Sequence, residues 1–591
     1  MSFSPMPSAE PAPSPHASIG LTAVRGPGQF ARLLALVLGA ALALAGCSSI
    51  PTVGPVGTAS AQRGDEQQEE AVFSPEGPAA GATAQETIRG FMEAGKGAAD
   101  DYSVARQFLS PGMAETWSPA QRATVYRSSR VVATPDPNLF QIQLEVQSTV
   151  DIQGIRIEAP AGSTESIPVQ AEKVDGEWRL TAVPDGIMLS LASFPAVFMA
   201  HNLYFYSSDY EYWVPDTRWF IRRAGIAANI VNAVLVGPAP HLQGAVVSAF
   251  PSGTELARDA VPVASGEATV DLAADSLSDA TDLNRQQMTA QLQQNLRSLN
   301  NITSVAMTEG GHSVDLGKGN GEVRSAIADP SAGATQIVVY QGELAFYGDG
   351  PTAVEGVPSV AGYGPRSPAM SADGATIAFL DSQEDTLLVT GKGQEVRVAA
   401  EGARFTAPSV DPKQWVWTTQ PSGSGTAVLA IPPGGNRDSA AVLSAPWLEG
   451  LGVTELRVSR DGTRVLVAAA QGGNSSVMIA GIVRSAEGVP VSLTTPATLQ
   501  VPAEAGAVDR VKWASEDTVV AVRTGAQESV PVILGPGREA QLLAPKEGIL
   551  GLSAGNGTED VFIQTDAGIF NKVGSSWALR SEGVRDPAFP G

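Results

Sequence analysis

Ser459-Arg460-Asp461-Gly462 is the stretch that decides the fold of the C-terminal half, because the same phrase returns along the chain. The other copies are Ser371-Ala372-Asp373-Gly374, Ser409-Val410-Asp411-Pro412, Ser515-Glu516-Asp517 and, more loosely, Ser553 with Asn556-Gly557. Their Asp or Asn positions lie 38, 50, 56 and 39 residues apart, close to the roughly 40–50 residues of one propeller blade. A β-rich run follows each copy, at 376–379, 415–417, 465–468, 519–522 and 561–563.

The phrase suits a tight turn between two strands. Asp-Gly pairs favour hairpin turns, and Ser and Asp side chains can cap the amides of a turn. We therefore predict an all-β propeller over residues 336–591 with about six blades. Strands near 337–347 would combine with the C-terminus to form the sixth blade. A β-sandwich with recurring Asp-Gly hairpins is the alternative.

Residues 84–200 are predicted to form an α+β domain. Two helical stripes come first, and period-two alternation then predicts antiparallel strands. The first helical stripe is Ile88, Phe91 and Met92, and the second is Tyr102, Ala105, Phe108 and Leu109. The alternating strand residues begin with Phe140, Ile142, Leu144 and Val146. This order resembles the small cone-shaped domains of the NTF2-like type.

Residues 201–316 are predicted to form a second α+β domain, followed by a linker at 317–335. A strand at 203–206 precedes a helix at 228–236, which Gly237-Pro238 closes, and Met288, Leu292, Leu296 and Leu299 line one face of a polar helix. Leu235-Val236-Gly237-Pro238, then 248–254 (SAFPSGT), then Thr269-Val270-Asp271-Leu272 resemble the GerMN domain of envelope and spore-associated proteins.

The N-terminus predicts export and lipid anchoring. Arg25 and Arg32 precede a 13-residue apolar run at 33–45, which is too short to span a bilayer but suits a signal peptide. The run ends in Leu44-Ala45-Gly46-Cys47, which resembles a bacterial lipobox. That resemblance implies cleavage between Gly46 and Cys47, with a diacylglycerol on the Cys47 thiol and an acyl group on its amine. Residues 1–46 are then removed and 47–83 form a flexible tether; an ordinary signal peptide is the alternative.

Charge and side-chain chemistry exclude several function classes. The formal net charge is -23, and removing Arg25, Arg32 and Glu10 with the signal gives 36 − 60 = -24, so nucleic acid is not expected as a partner. We predict no metal or cofactor, since His16, His201, His241 and His312 have no metal-ligand spacing. His241 is expected to be a solvated loop residue, and the Gly-rich stretch 317–321 a linker. No catalytic constellation stands out, and the prediction is of a protein that is not an enzyme.

Two tryptophans keep a glycan-related function open. Trp415 and Trp417 would stack on sugars if they lined the propeller face, whereas core or inter-blade packing is the more common arrangement. The numerous carboxylates leave a glycan hydrolase open as well, although no pair is singled out. A cell-wall glycan-binding module or glycan hydrolase is therefore the alternative function.

The lipobox, the NTF2-like and GerMN-like regions and the propeller, in that order, resemble the LpqB family of actinobacterial lipoproteins. The resemblance extends to the C-terminal Asp586-Pro587-Ala588-Phe589-Pro590-Gly591. It implies a lipid-anchored protein on the extracytoplasmic face of the cell membrane. It also implies an accessory role in which the protein binds the sensor kinase MtrB and tunes the MtrAB two-component system, which governs cell-wall metabolism and division.

Overall fold

The computed structural model describes residues 75–591 apart from 161, 224, 318–323 and 424. Gly46, Cys47, the predicted signal peptide and most of the predicted tether lie outside these residues. Within the described part, no helix has the length and apolarity needed to cross a membrane. The described residues belong to one compact unit.

The first domain, residues 75–197, places short helices before a sheet. The helices are α1 (Ala84–Ala94), α2 (Ser103–Arg106), α3 (Pro111–Thr116) and α4 (Phe194–Val197), and the strands are β1 (Arg122–Ala133), β2 (Leu139–Asp151), β3 (Arg156–Glu158), β4 (Thr164–Val174), β5 (Glu177–Ala182) and β6 (Ile187–Ser190). The strand order is β5-β4-β2-β1-β6, with β3 beside β2. Helices precede most of the strands, as the sequence predicts, and the likeness to NTF2-like domains stays a prediction.

Helix α1 is stabilised by a cap at its N-terminus and by an apolar face that packs on the sheet. Thr83 and Glu86 make a reciprocal capping box at its start, which satisfies amides that have no partner within the helix. Ile88, Phe91 and Met92 are buried against the sheet. The stripe predicted from the sequence is therefore the face that anchors the helix.

The central domain, residues 198–316, contains two small sheets and two helices. Its elements are β7 (Phe198–Ser207), β8 (Trp213–Ile221), α5 (Ile226–Val236), β9 (Val246–Val247), β10 (Val263–Ala264), β11 (Glu267–Leu272), α6 (Asp282–Leu296), β12 (Ser304–Glu309) and β13 (His312–Ser313). The sheet orders are β8-β7-β9 and β10-β11-β12-β13. Met288, Leu292 and Leu296 on α6 are buried in the core that the two sheets share.

The C-terminal domain, residues 336–591, consists of consecutive antiparallel sheets. Its strands are β14 (Gln336–Tyr340), β15 (Glu343–Tyr347), β16 (Pro351–Ala353), β17 (Arg366–Met370), β18 (Ile377–Leu380), β19 (Thr386–Gly391), β20 (Gln394–Glu401), β21 (Ser409–Val410), β22 (Val416–Ser422), β23 (Gly425–Ile431), β24 (Ala441–Leu443), β25 (Gly452–Val458), β26 (Arg464–Gln471), β27 (Asn474–Arg484), β28 (Pro490–Leu493), β29 (Ala497–Leu499), β30 (Arg510–Trp513), β31 (Val519–Val522), β32 (Val532–Leu534), β33 (Gln541–Leu542), β34 (Gly551–Ala554), β35 (Val561–Thr565), β36 (Gly568–Val573), β37 (Ser576–Ser581) and β38 (Val584–Ala588). The sheets are β16-β15-β14-β38, β17–β20, β21–β24, β25–β28 with β29 beside β27, β30–β33 and β34–β37.

The sheets are arranged in a cycle, which makes this domain propeller-like. Strand β38, from the end of the chain, pairs with β14 and completes the first sheet. The inner strands β38, β17, β21, β25, β30 and β34 contact one another in that order, and β34 contacts β38. The sandwich alternative does not describe this arrangement, because the phrases around Asp373 and Asp461 belong to separate sheets.

Candidate interaction site between the central domain and the propeller-like domain

The four Ser-x-Asp phrases and the looser copy at Ser553 and Asn556 lie at equivalent places in successive sheets. Each connects the first strand of its sheet to the second, at 371–376, 411–415, 459–463, 514–518 and 555–560. Strand direction alternates within each sheet, so these connections all emerge on the same side of the ring. We call this side the turn face, and the opposite side the open face.

The phrases at Ser371 and Ser459 stabilise their turns through their own side chains. Ser459 Oγ donates to Asp461 Oδ1 at 2.7 Å and accepts from the Arg464 amide at 3.0 Å. Gly462 has φ +71°, which strains any residue with a side chain. At the equivalent position, Ser371 Oγ accepts from the Thr376 amide at 3.0 Å. The phrase therefore stabilises the turn locally. The residues next to it are exposed on the turn face.

In the phrase at Asp411, the Asp411 carboxylate also binds the two tryptophans that were considered for sugar stacking, Trp415 and Trp417. Asp411 Oδ1 accepts from the Trp415 amide at 2.9 Å, and Oδ2 accepts from Trp417 Nε1 at 3.1 Å and from Arg484 at 2.6 Å. Trp417 is fully buried in the apolar core between neighbouring sheets, and Trp415 packs against that core. These side chains serve packing and do not form an exposed stacking platform.

The central domain docks on the turn face through residues next to these phrases. Tyr204 Oη donates to Glu516 Oε1 at 2.7 Å. Asn202 Nδ2 donates to Asp517 Oδ2 at 2.8 Å. In the phrase around Asp411, Lys413 forms an ion pair of 2.5 Å with Asp209 of the central domain.

The segment that leads into the propeller-like domain is bound to the same face. Asp329 and Glu516 bind reciprocally, since each backbone amide donates to the other's carboxylate, at 3.1 and 2.8 Å. Asn556 Oδ1 accepts from the Ala332 amide at 2.8 Å, and its Nδ2 donates to the Gly333 carbonyl at 2.8 Å. The predicted linker 317–335 therefore has a bound C-terminal part, while most of its Gly-rich stretch lies outside the described residues.

Two neighbouring carboxylates in this contact have opposite pKa shifts. Burial raises the pKa of Glu516, and the nearby Asp329 and Asp517 add to that shift. Burial alone would raise the pKa of Asp517 as well, but the hydrogen bond from Asn202 and the charge of Arg538 lower it. At neutral pH the contact thus carries a carboxylate that is costly to ionise beside one that favours ionisation.

His241 corrects a sequence prediction. It is not a solvated loop residue, because its backbone carbonyl accepts from the Gly481 amide at 2.8 Å and from Thr494 Oγ1 at 2.6 Å, both in the propeller-like domain. Its side chain is only partly exposed, and burial lowers the pKa of its imidazole. Sequence reasoning missed this contact because the partners lie more than two hundred residues away.

His201 and His312 are the other histidines that the structure describes. His201 is buried in β7 with Nε2 lacking a hydrogen-bond partner among the described residues, and burial lowers the pKa of its imidazole. His312 is exposed in β13. Across residues 75–591, outside the gaps given above, no group of His, Cys, Asp and Glu side chains is placed to hold a metal ion.

A buried ion pair joins the first and central domains and was also missed from the sequence. Arg218 Nη2 lies 2.7 Å from Asp216 Oδ2, and both side chains are 0% exposed. Arg218 Nη1 donates to the Gln153 carbonyl of the first domain at 3.0 Å, and Asp216 Oδ2 accepts from the Ala239 amide at 2.8 Å. Two opposite charges at positions i and i+2 of a strand are typical of a solvated surface pair. The sequence therefore did not indicate that Asp216 and Arg218 are buried between two domains.

The loops of the open face carry exposed charges. These loops run from the second to the third strand of a sheet, or from the last strand to the next sheet. Exposed carboxylates recur on these loops, at Glu384, Asp385, Glu449, Glu528, Glu547, Asp566 and Glu582. Arg404 and Arg523 are exposed on the same side. The first domain reaches the edge of one sheet, where Gln147 binds Gln500.

Comparisons with known proteins identify the family. The family described as "Lipoprotein LpqB, N-terminal domain" matches residues 77–195, "Sporulation and spore germination" matches 202–315, and "Lipoprotein LpqB beta-propeller domain" matches 342–590. Lipoprotein LpqB of Streptomyces coelicolor is 26% identical over 95% of this chain and 98% of its own length. That of Thermobifida fusca is 26% identical over 79% of this chain and 84% of its own length. The chain belongs to the LpqB family.

Similarity to solved structures is partial. TolB from Acinetobacter baumannii is 14% identical, with a TM-score of 0.33 over 44% of this chain and 66% of TolB. The tandem GerMN domains of GerM from Bacillus subtilis are 13% identical, with a TM-score of 0.18 over 25% of this chain and 58% of that protein. The family matches establish the order of domains in this LpqB-family chain, with a GerMN-like domain ahead of the propeller-like domain.

Proposed function

We propose that the protein is a lipid-anchored, non-enzymatic accessory protein on the extracytoplasmic side of the cell membrane. It binds the extracytoplasmic domain of the sensor kinase MtrB and thereby tunes the MtrAB two-component system. The observation that supports this proposal most directly is that the central domain occupies the turn face of the propeller-like domain. The loops of the open face are left exposed, and carboxylates recur on them.

The proposed anchor and the arrangement of the domains work together. Acylated Cys47 would hold the body at the membrane, where a tether raises its effective concentration near membrane partners. Tyr204, Asn202 and Asp209 hold the central domain against the turn face. A partner then meets the propeller-like domain from the open side.

The closed cycle of sheets supports a rigid binding platform. We infer that the six sheets are the blades of a six-bladed propeller, in which the pairing of β38 with β14 closes the ring. Rigid blades hold their loops in fixed positions, so a partner can bind without ordering them first.

The charge of the open face indicates what kind of surface its partner presents. Carboxylates such as Glu449, Glu528 and Glu582 project from loops of the open face, so its partner surface should be basic. Opposite charges speed the encounter, and salt screens them. Binding through this face should therefore weaken as ionic strength rises.

The test uses the full-length protein purified in detergent. The purified extracytoplasmic domain of MtrB is titrated into it at low and moderate salt, and phosphotransfer is measured in membranes with and without the lipoprotein. We expect saturable binding that weakens with salt, together with a change in phosphotransfer. Absence of binding at every salt concentration, with unchanged phosphotransfer, contradicts the proposed function.

A further inference from the structure

The loop at residues 237–245 connects α5 to β9 and packs closely against β27 of the propeller-like domain. A side chain on Gly481 of β27 would place its first carbon 2.6 Å from Ala245 Cβ and 2.9 Å from the His241 carbonyl oxygen, which is too close for any residue except glycine. Leu242 and Ala245 are buried, at 0% and 4% exposure. The loop is therefore a close backbone contact between the two domains.

A buried ion pair holds the same loop from the other side. Arg218 Nη2 donates to the Gly237 carbonyl at 3.0 Å, and Asp216 Oδ2 accepts from the Ala239 amide at 2.8 Å. Arg218 also donates to the Gln153 carbonyl of the first domain. The loop and its ion pair thus connect all three domains at one place.

The His241 imidazole lies among charges that belong to both sides of this contact. Asp216 and Arg218 act on it from β8, and Arg464 acts on it from β26 of the propeller-like domain. Both arginines already have a carboxylate partner, since Arg218 pairs with Asp216 at 2.7 Å and Arg464 pairs with Asp461 at 2.5 Å. A proton on the imidazole would add a third cation to this group.

The docked loop favours the neutral form of His241. Burial has the largest effect on the imidazole, and with the two arginines it outweighs the attraction of Asp216, so the pKa of His241 is lowered from 6.5. Moving the loop away from β27 would remove Arg464 from its surroundings and expose the ring to water, which stabilises the charged form. The undocked loop should therefore take up a proton more readily than the docked loop.

We infer that the loop 237–245 is a pH-sensitive clasp, in which proton uptake by His241 loosens the docking of the central domain on the propeller-like domain. Histidine is the side chain whose charge ordinarily changes between pH 5 and 8, and buried histidines at interfaces serve as switches in this way. The clasp does not depend on the proposed binding of MtrB, because all of its groups belong to this chain.

The direction of the pH effect follows from the neutral form being favoured in the docked state. The clasp has its full strength above pH 6.5 and loses strength as pH falls below 6.5 toward the lowered pKa. Uptake of one proton should weaken docking by up to about tenfold at pH 5.5. Glu516 in the neighbouring contact has a raised pKa and acts in the opposite direction, so His241 variants are needed to isolate the effect.

The test measures hydrogen exchange by mass spectrometry on the full-length protein in detergent at pH 7.5, 6.5 and 5.5. Labelling times are adjusted for the intrinsic pH dependence of exchange, so that the remaining change reports opening of the contact. We expect exchange in the segment around Gly481, whose amide donates to the His241 carbonyl at 2.8 Å, to rise up to about tenfold between pH 7.5 and 5.5. His241→Gln, which is neutral at every pH, should remove this rise. His241→Arg, which is always charged, should exchange faster than the wild type already at pH 7.5.

Two other histidines supply the controls. His312→Gln changes an exposed residue of β13 and should behave like the wild type. His201→Gln removes the other histidine with a pKa lowered by burial, and the rise around Gly481 should persist. Melting temperatures at pH 7.5 verify that each variant is folded. A wild type without the pH-dependent rise, or a rise that persists in folded His241→Gln, would overturn the inference, as would His241→Arg that exchanges like the wild type at pH 7.5.

Discussion

Tyr204 Oη and Glu516 Oε1 lie 2.7 Å apart and join two domains across 312 residues of sequence. Tyr204 belongs to β7 of the central domain, and Glu516 belongs to a repeated turn of the propeller-like domain. The same carboxylate accepts the Asp329 amide through Oε2. Glu516 is therefore the residue at which the central domain, the connecting segment and the propeller-like domain meet.

Removing the Tyr204 hydroxyl should weaken this contact. Tyr204→Phe leaves a partly buried carboxylate oxygen without its donor, at an expected cost of about 1.5–3 kcal/mol for a hydrogen bond to a charged group. Urea unfolding followed by tryptophan fluorescence measures the loss. A variant as stable as the wild type would show that the hydroxyl does not hold the domains together.

The raised pKa of Glu516 predicts a dependence of stability on pH. Its folded pKa lies above the ordinary value of 4.5, so its contribution to stability is greatest below pH 4.5 and is lost as pH rises through the folded pKa. Glu516→Gln has no ionisable group at this position, so it does not lose this stability as pH rises. The variant should gain stability relative to the wild type as pH rises from 4.5 to 7, as measured by melting temperature, and a constant difference contradicts the assignment.

A buried carboxylate stabilises the inner strands. Burial alone would raise the pKa of Glu455, but the Lys512 and Arg457 charges outweigh it and lower the pKa to about 2. Glu455→Gln leaves those cations without their counter-charge, and we expect a loss of about 3–5 kcal/mol. The exposed control Glu449→Gln should change stability by less than about 0.5 kcal/mol.

The sign of the pH effect of Glu455 follows from its lowered pKa. Its contribution is full above pH 4.5 and is lost as pH falls from 4.5 toward 2. The stability difference between the wild type and Glu455→Gln, measured by urea unfolding, should therefore shrink over that range. A difference that persists to pH 2 is incompatible with the ion network.

Two copies of the repeated turn should differ in how much they contribute to stability. Asp411 is 0% exposed and binds Trp417 Nε1 and Arg484. Asp373 is exposed and binds no charged group; it accepts from Ser371, the Ala375 amide and Gln414 Nε2. Asp411→Ala should cost about 3 kcal/mol, and Asp373→Ala about 1 kcal/mol. Equal costs in equilibrium unfolding would mean that the turn alone, and not the buried network at Asp411, determines the effect.

The lipid anchor is tested at Cys47, the sole cysteine of the chain. Cys47→Ser removes the only thiol, so we expect no uptake of labelled fatty acid and no cleavage after Gly46. Metabolic labelling and the mass of the cellular protein measure both. Normal labelling or maturation of the variant would exclude Cys47 as the anchor.

The sequence predicted those features that depend on local chemistry. The Ser-x-Asp phrases marked equivalent turns because their side chains bind amides within the same turn, as at Ser459. The contacts of Tyr204, His241 and Arg218 were not predictable, since their partners lie far along the chain and share no periodic pattern. The charge of a face depends on which loops meet in space, so the whole-chain charge did not predict which carboxylates gather on the open face.

The most direct test of the central claim compares two charge-reversal variants in binding to the MtrB extracytoplasmic domain. Glu449→Lys with Glu528→Lys alters the open face, and Glu115→Lys with Glu172→Lys makes the same charge change on exposed positions of the first domain. We predict at least tenfold weaker binding for the first variant, with a shallower salt dependence. The second variant should bind within about twofold of the wild type, because charges far from a contact are screened. Equal binding by both variants would contradict the claim that the open face is the partner surface.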